Sequence, residues 1–245
     1  AERRLAFDEL VELCEPLAPD NGLVYDIGCG PGSLTAELPD RFGAKLVVGT
    51  DTSDAMLDKA RPRTTNRLRF ENADLRQLDT AEPADIIFSN AALQWVEGHG
   101  DVLAQWKTQL ADGGQIAVQV PTNGDHPAFL LAAQLGRDLA DWFPDGPPGL
   151  APDTVQPPEF YAHTLHDLGA TDLHVSLRVF PHLLASPSEV TEWIKGPSLN
   201  RFRVALGDER VGEFEAEFTR RLLELEGDRA PYLFTFKRIL MWAKF

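Results

Sequence analysis

Residues 23–32 read "LVYDIGCGPG": an apolar run carrying one acid, Asp26, followed by glycines at 28, 30 and 32. Glycine loses the most backbone freedom on folding, so such a concentration marks a turn that side chains would obstruct. A buried strand that feeds a glycine turn and then a helix aims its turn amides at a ligand. This is the opening of a nucleotide-type α/β fold, and the rest of the chain can be laid out around it.

Strand-like runs follow at "KLVVGTD" (45–51), "LRFENAD" (68–74), "ADIIFSN" (84–90) and "GQIAVQV" (114–120). Helices are expected between them: from Ser33 to Phe42, from about Ser53 with Thr52 or Ser53 as N-cap, and around 99–110, with "ADGG" (111–114) as the turn out of the last. Alternating strands and helices predict a mostly parallel sheet covered on both faces. Beyond Pro121 the pattern changes. A proline-rich stretch (143–160) precedes a helix at "EFYAHTLHDLGA", a strand at "DLHVSLRVFPHLL", helices at 186–196 and about 208–225, and a closing strand in "PYLFTFKRILMWAKF". The expected organisation is one domain: a core over 1–121, cap and substrate-binding elements over about 122–230, and a final strand over about 231–245.

A net charge of −15 over 245 residues argues against a nucleic-acid partner or a polybasic membrane patch. It also means that any anionic substrate needs local Arg or Lys. Two cysteines, Cys14 and Cys29, are too few for a disulfide framework, which suits a reducing cytoplasm. No long apolar run suggests a membrane span, and the opening "AERRLAFDELVELC" reads as an amphipathic helix. The chain starts without Met, so a further N-terminal segment is expected. A monomer or weak dimer is the expected state.

Spacing separates the ligand classes that use glycine turns. No Lys follows, so a P-loop is excluded, and the third glycine stands at 32 where the dinucleotide fingerprint needs 33. Asp51 ends the second strand, 21 residues beyond Gly30, where a carboxylate can accept from both ribose hydroxyls. There is no G-x-S-x-G elbow and no H-E-x-x-H, and His163 and His166 lack an obvious third metal ligand.

The G-x-G-x-G turn preceded by Asp26 resembles motif I of class I S-adenosylmethionine (SAM) methyltransferases. "GTDTSDAMLDKAR", "ENADLRQL", "IIFSNAALQWVEGH", "AVQVPTN", "VTEWIKGPSL" and "FKRIL" follow in order, and together they resemble the trans-aconitate 2-methyltransferase family over nearly the whole chain. The resemblance implies a Rossmann-like sheet with an antiparallel final strand and helical cap insertions. It implies SAM as cofactor, S-adenosyl-L-homocysteine as product, no metal, and a small di- or tricarboxylic acid as acceptor. The implied cofactor contacts are Asp26, Gly28, Cys29, Gly30, Gly32, Asp51, Thr52, Met56, Asp74, Leu75, Asn90 and Ala91. The implied acceptor contacts are Gln94, Trp95, Lys195, Arg201 and Arg238. Each has a structural alternative: Asp26 could satisfy turn amides, Cys29 fill the turn, Met56 and Trp95 pack, and the cations sit on the surface.

Where relatives carry a Gly-Leu-Arg-Pro-like run, this chain has "PSLNRF", so Asn200 replaces the expected arginine and the base moves to Arg201. "FKRIL" keeps Arg238 and adds Lys237. A carboxylate acceptor, with a pKa near ~4, is ionised at neutral pH and needs no general base. No catalytic proton-transfer residue is therefore expected. The alternatives are a methyltransferase for another small molecule or a malonyl-carrier thioester, and a non-catalytic SAM-binding module.

Overall fold

The computed structural model describes residues 2–19, 21–148 and 154–245. Residues 149–153 of the proline-rich stretch lie outside them. The elements run α1 (Glu2–Leu13), β1 (Leu23–Ile27), α2 (Leu38–Phe42), β2 (Leu46–Asp51), α3 (Asp54–Ala60), β3 (Leu68–Asn72), β4 (Ala84–Asn90), α4 (His99–Lys107), β5 (Leu110–Pro121) and α5 (Pro127–Asp138). They continue with α6 (Pro158–Asp167), β6 (Asp172–Leu184), α7 (Glu189–Ile194), α8 (Asn200–Glu226) and β7 (Tyr232–Lys244).

The seven strands form one sheet in the order β3-β2-β1-β4-β5-β7-β6. β1 is parallel to both β2 and β4, β4 is parallel to β5, and β7 runs antiparallel to β5 with Pro121 opposite Arg238. The chain winds outward from β1 in one direction through β2 and β3, and then returns to place β4 on β1's other side. That reversal leaves a crevice at the carboxyl ends of β1 and β4, where open α/β sheets bind ligands. The antiparallel last pair corresponds to the expected closing strand.

Of the described residues, those up to 121 with 154–178 and 238–245 make one compact unit, and 122–148 with 179–237 a second. The first has a core of strand residues such as Tyr25, Ile87, Ile116 and Met241, joined by Trp106 and Tyr161. The second has its own core, rich in phenylalanine, in which the Phe202 and Phe214 rings stack with centroids 4.5 Å apart.

Local differences from the sequence reading have physical causes. The expected helix from Ser33 is a 3₁₀ turn (Thr35–Glu37) followed by the short α2, with Pro39 in its first turn, where a missing N–H is tolerated. "ADGG" is not a free turn: β5 already begins at Leu110, opposite Ala84, and the register jumps before Ile86 meets Gln115. Gly113, at φ 76°, absorbs that irregularity. The helix expected from Asp208 belongs to a longer α8, broken at Gly207 (φ 70°, ψ 172°). Helix α5 was not anticipated, although Pro127 in its first turn and buried Ala128, Ala132 and Leu135 at helical spacing are its signature. Among the described residues no helix is long and apolar enough to cross a membrane.

Candidate functional site

The turn after β1 is stitched to the end of β2. The amides of Gly28 and Cys29 both donate to the Thr50 carbonyl, at 2.8 and 2.9 Å. The Gly30 amide donates to Asp51 Oδ2 at 2.9 Å, and the Ser53 amide to Asp51 Oδ1 at 2.8 Å. Asp51 therefore stands fixed by two backbone donors while each oxygen keeps a further acceptor site. Ser53 caps α3 by accepting from the Met56 amide at 3.4 Å.

The three glycines differ in what they make room for. A Cβ on Gly28 would lie 2.1 Å from Ala92 Cβ, and one on Gly32 would lie 2.7 Å from the Phe70 ring. Those two glycines serve internal packing. A Cβ on Gly30 would meet nothing within 4 Å, at φ +55°. Gly30 is thus the place where bare backbone faces open space. That space is a cavity of about 440 Å³, lined by Gly28, Gly30, Pro31, Asp51, Thr52, Met56, Ala73, Asp74, Leu75, Arg76, Ala91, Ala92, Trp95 and Val96.

A smaller cavity of about 200 Å³ adjoins the same turn, lined by Phe7, Asp26, Cys29, Ser33, Leu34, Phe88 and Asn90 among others. Phe7 of α1 closes it by packing edge-on against Phe88, with centroids 5.6 Å apart. Asp26 is buried and accepts from the Thr35 hydroxyl at 2.6 Å. Burial raises its carboxyl to about 7, against the Thr35 hydrogen bond, which lowers it, and with a smaller upward push from Asp51. Asn90 Oδ1 is buried with no partner among the described residues. Ala91 follows it at φ 61°, a left-handed backbone rare for a residue with a side chain. Cys29 is a half-buried free thiol whose burial pushes its pKa up, so it is not an activated nucleophile. Asp74 faces the larger cavity and accepts from Arg76 Nη2 at 2.6 Å; that contact holds it below the usual carboxylate range.

Of the acceptor candidates, Gln94 and Trp95 belong to the 3₁₀ turn after β4. Gln94 Nε2 donates to the Ala91 carbonyl at 2.6 Å, and its Oε1 is buried without a partner among the described residues. Trp95 is 62% exposed and walls the larger cavity. Arg238 donates to Gln119 Oε1 at 2.8 Å across the β5–β7 pair. Arg201 lies in the second unit at the start of α8, with its guanidinium 5.2 Å from the Phe202 ring centre. Lys195, also in the second unit, bridges Glu192 at 2.5 Å and Glu215 at 3.1 Å.

Sequence reasoning missed three features. Arg76 pairs with Asp74 on the cavity wall. Gln119, fully buried, reaches Arg238; a polar residue inside the apolar run "AVQV" was its signal. His99 and Tyr161 share a 2.7 Å hydrogen bond, while the other His99 nitrogen bonds the Val96 carbonyl at 3.0 Å. With the Thr154 hydroxyl donating to the Gln94 carbonyl at 2.6 Å, they fasten residues 154–161 to the turn that carries Trp95. Among the described residues no group of three or more His, Cys, Asp or Glu could hold a metal ion.

A family described as a methyltransferase domain matches residues 24–114. A trans-aconitate 2-methyltransferase of Agrobacterium fabrum is 36% identical over 81% of this chain and 77% of that protein. One of Deinococcus radiodurans is 37% identical over 86% of this chain and 83% of its own. The solved structure of Haemonchus contortus phosphoethanolamine N-methyltransferase 2, in complex with phosphomonomethylethanolamine and S-adenosylhomocysteine, superposes with a TM-score of 0.59 at 14% identity. It matches 98% of this chain, which spans about half (52%) of that protein, and the likeness speaks to the fold alone.

Proposed function

The chain belongs to the trans-aconitate 2-methyltransferase family, and from that premise we propose that it transfers the methyl group of SAM to a carboxylate of a small di- or tricarboxylic acid, trans-aconitate first among them. The observation that carries the reading is the open backbone at Gly30 held against the fixed carboxylate of Asp51 in one cavity. It is supported by relatives that bear this activity in their name.

SAM, when bound, supplies an electrophilic methyl on a sulfonium. The protein's residues have separable tasks. Asp51 offers its free acceptor sites to a ribose diol. Met56 and Leu75 offer apolar surface to an adenine, with Asp74 beside its amino group. Asp26 and Asn90 line the smaller cavity and supply the acceptor atoms that an α-ammonium requires. Gly28, Cys29, Gly32, Thr52 and Ala91 shape the backbone around these groups.

The acceptor needs no base, because a carboxylate already carries its lone pair at neutral pH. The work left to the protein is orientation, which for a well-aligned pair replaces a bimolecular encounter. Trp95 offers its indole as a wall of the cavity, with Gln94 beside it in the same turn. A carboxylate meeting a sulfonium loses charge, so a dry wall favours the transfer. Arg238, which Gln119 fixes, is the cation assigned to a remaining carboxylate; Arg201, in the second unit, is the other candidate the sequence offers.

Incubation with methyl-labelled SAM and a panel of di- and tricarboxylic acids, amines and phenols tests this reading. Label in a base-labile ester of trans-aconitate or a close acid is expected. Label confined to amines or phenols would remove the carboxylate assignment.

A further inference from the structure

Two glutamines stand on β5 four residues apart, hence on the same face of the sheet, and both are buried. Gln115 is fully used: its Oε1 accepts from the Glu15 amide at 2.7 Å and from Trp242 Nε1 at 2.8 Å, and its Nε2 donates to the Glu15 carbonyl at 3.1 Å. Gln119 is half used. Its Oε1 accepts from Arg238, and its Nε2 is buried with no partner among the described residues. The orientation of this amide is dictated by chemistry, since a guanidinium only donates and must face the oxygen. The NH₂ is thereby turned away from Arg238 and left as a buried donor without a partner among the described residues, which native proteins rarely leave unmet.

Register places this donor beside the site. Asn90 is directly opposite Gln119 on β4, and Leu240, two residues beyond Arg238 on β7, is directly opposite it on the other side. Residues opposite one another share a face, so Asn90, Gln119 and Arg238 form one polar row across three strands. The row divides by hydrogen-bonding sense. Asn90 presents an unpaired acceptor, which suits an ammonium; Gln119 presents an unpaired donor beside a cation, which suits a carboxylate, an acceptor on both oxygens.

We propose that Gln119 is a specificity-determining residue for the acceptor: its Oε1 orients Arg238, and its Nε2 donates to an oxygen of the substrate carboxylate that Arg238 holds. This rests on the carboxylate-acceptor reading above. It assigns the binding of an acidic group to a side chain that is itself uncharged.

The test uses Gln119→Glu, which keeps an acceptor for Arg238 but removes the donor and adds a repelling charge, and Gln119→Met, which removes both contacts at similar volume. Gln115→Met is the control for simply burying a methionine on this strand. Both Gln119 variants should raise KM for the acid about ten- to a hundredfold, the loss expected for a hydrogen bond to a charged group. Calorimetric affinity for S-adenosylhomocysteine should stay within about twofold of wild type. Gln115→Met should lower Tm and leave KM alone. An unchanged acid KM in folded Gln119→Glu, or a parallel loss of S-adenosylhomocysteine affinity, overturns the assignment of Gln119. If wild type esterifies no acid at all, the carboxylate reading fails, and Gln119 falls with it. Ester formation by wild type with normal KM in both variants sinks Gln119 alone.

Discussion

The turn at 28–32 and the segment around Lys195 hold their polar groups in opposite ways. In the turn, bare backbone at Gly30 borders a cavity, Asp51 keeps acceptor capacity to spare, and Asn90 nearby is left with an unpaired oxygen. Around Lys195 the charges close on one another: Lys195 bridges Glu192 and Glu215, and Arg203 reaches Glu215 and Asp208 at 3.5 and 3.3 Å. A group that has already found its partner has less to offer a ligand, because binding must first break what is made. Hydrogen-bonding capacity left over, rather than charge as such, therefore distinguishes a site from a stabilised surface.

The largest effect should come from Asp51→Ala. It removes the anchor of the Gly30 and Ser53 amides together with the acceptors offered to a ribose diol. Two or more charge-assisted hydrogen bonds are worth about 3 kcal/mol or more in binding, so affinity for S-adenosylhomocysteine should fall by about a hundredfold or more. Calorimetry on the folded variant measures it. A dissociation constant within about threefold of wild type would erase the contrast between the two regions.

Asp26 sharpens the same comparison through pH. Its folded-state value of about 7 lies above the ~4 of an unfolded aspartate, so between them the folded protein holds a proton that the unfolded chain gives up. The resulting stabilisation is complete below about pH 4 and is lost as pH rises through about 7. The Asp26 contribution to the stability of the protein without cofactor should thus fall between about pH 5.5 and about pH 8, by a few kcal/mol at most, against an opposite drift from His99 and His126, whose burial lowers their pKa. Asp26→Asn, always neutral, should lose less over that range and yet bind S-adenosylhomocysteine more weakly, since an ammonium needs the ionised carboxylate. Denaturant midpoints at the two pH values, with calorimetry at the higher, read both. Parallel pH slopes in the two proteins would show that Asp26 is not the buried proton holder.

These results bear on what could be read without a structure. The cavity around the glycine turn was legible because it is written in backbone requirements: an apolar strand, glycines at fixed offsets, Ser53 as a cap, and acids at strand ends. β4 and β6 fall on the runs quoted for them, 84–90 and 172–184. What stayed hidden depends on partners distant in sequence. That Gly28 and Gly32 make room for Ala92 and Phe70 while Gly30 faces a cavity is a tertiary fact. So is the difference in hydrogen bonding between Gln115 and Gln119, two glutamines of one strand set apart by what Trp242, Glu15 and Arg238 bring to them. The salt bridges of Lys195 include Glu215, twenty positions away on another helix, and no pattern in "EWIKG" announces them.

Lys195 gives the smallest expected effect. Its side chain is 33% exposed, and two carboxylates already answer its charge. Partly exposed bridges of this kind contribute about 0–1 kcal/mol, so Lys195→Ala should move Tm slightly and raise the acid's KM no more than about threefold. Arg238→Ala, by contrast, removes the cation that Gln119 orients, and should raise that KM about tenfold or more without weakening S-adenosylhomocysteine binding. The two variants, assayed side by side, separate a cation closed between two carboxylates from one oriented by a neutral amide. A tenfold effect at Lys195 would mean that the substrate displaces Glu192 and Glu215, and that a closed ion pair in this protein can be opened by its ligand. A negligible effect at Arg238 would remove it from acceptor recognition.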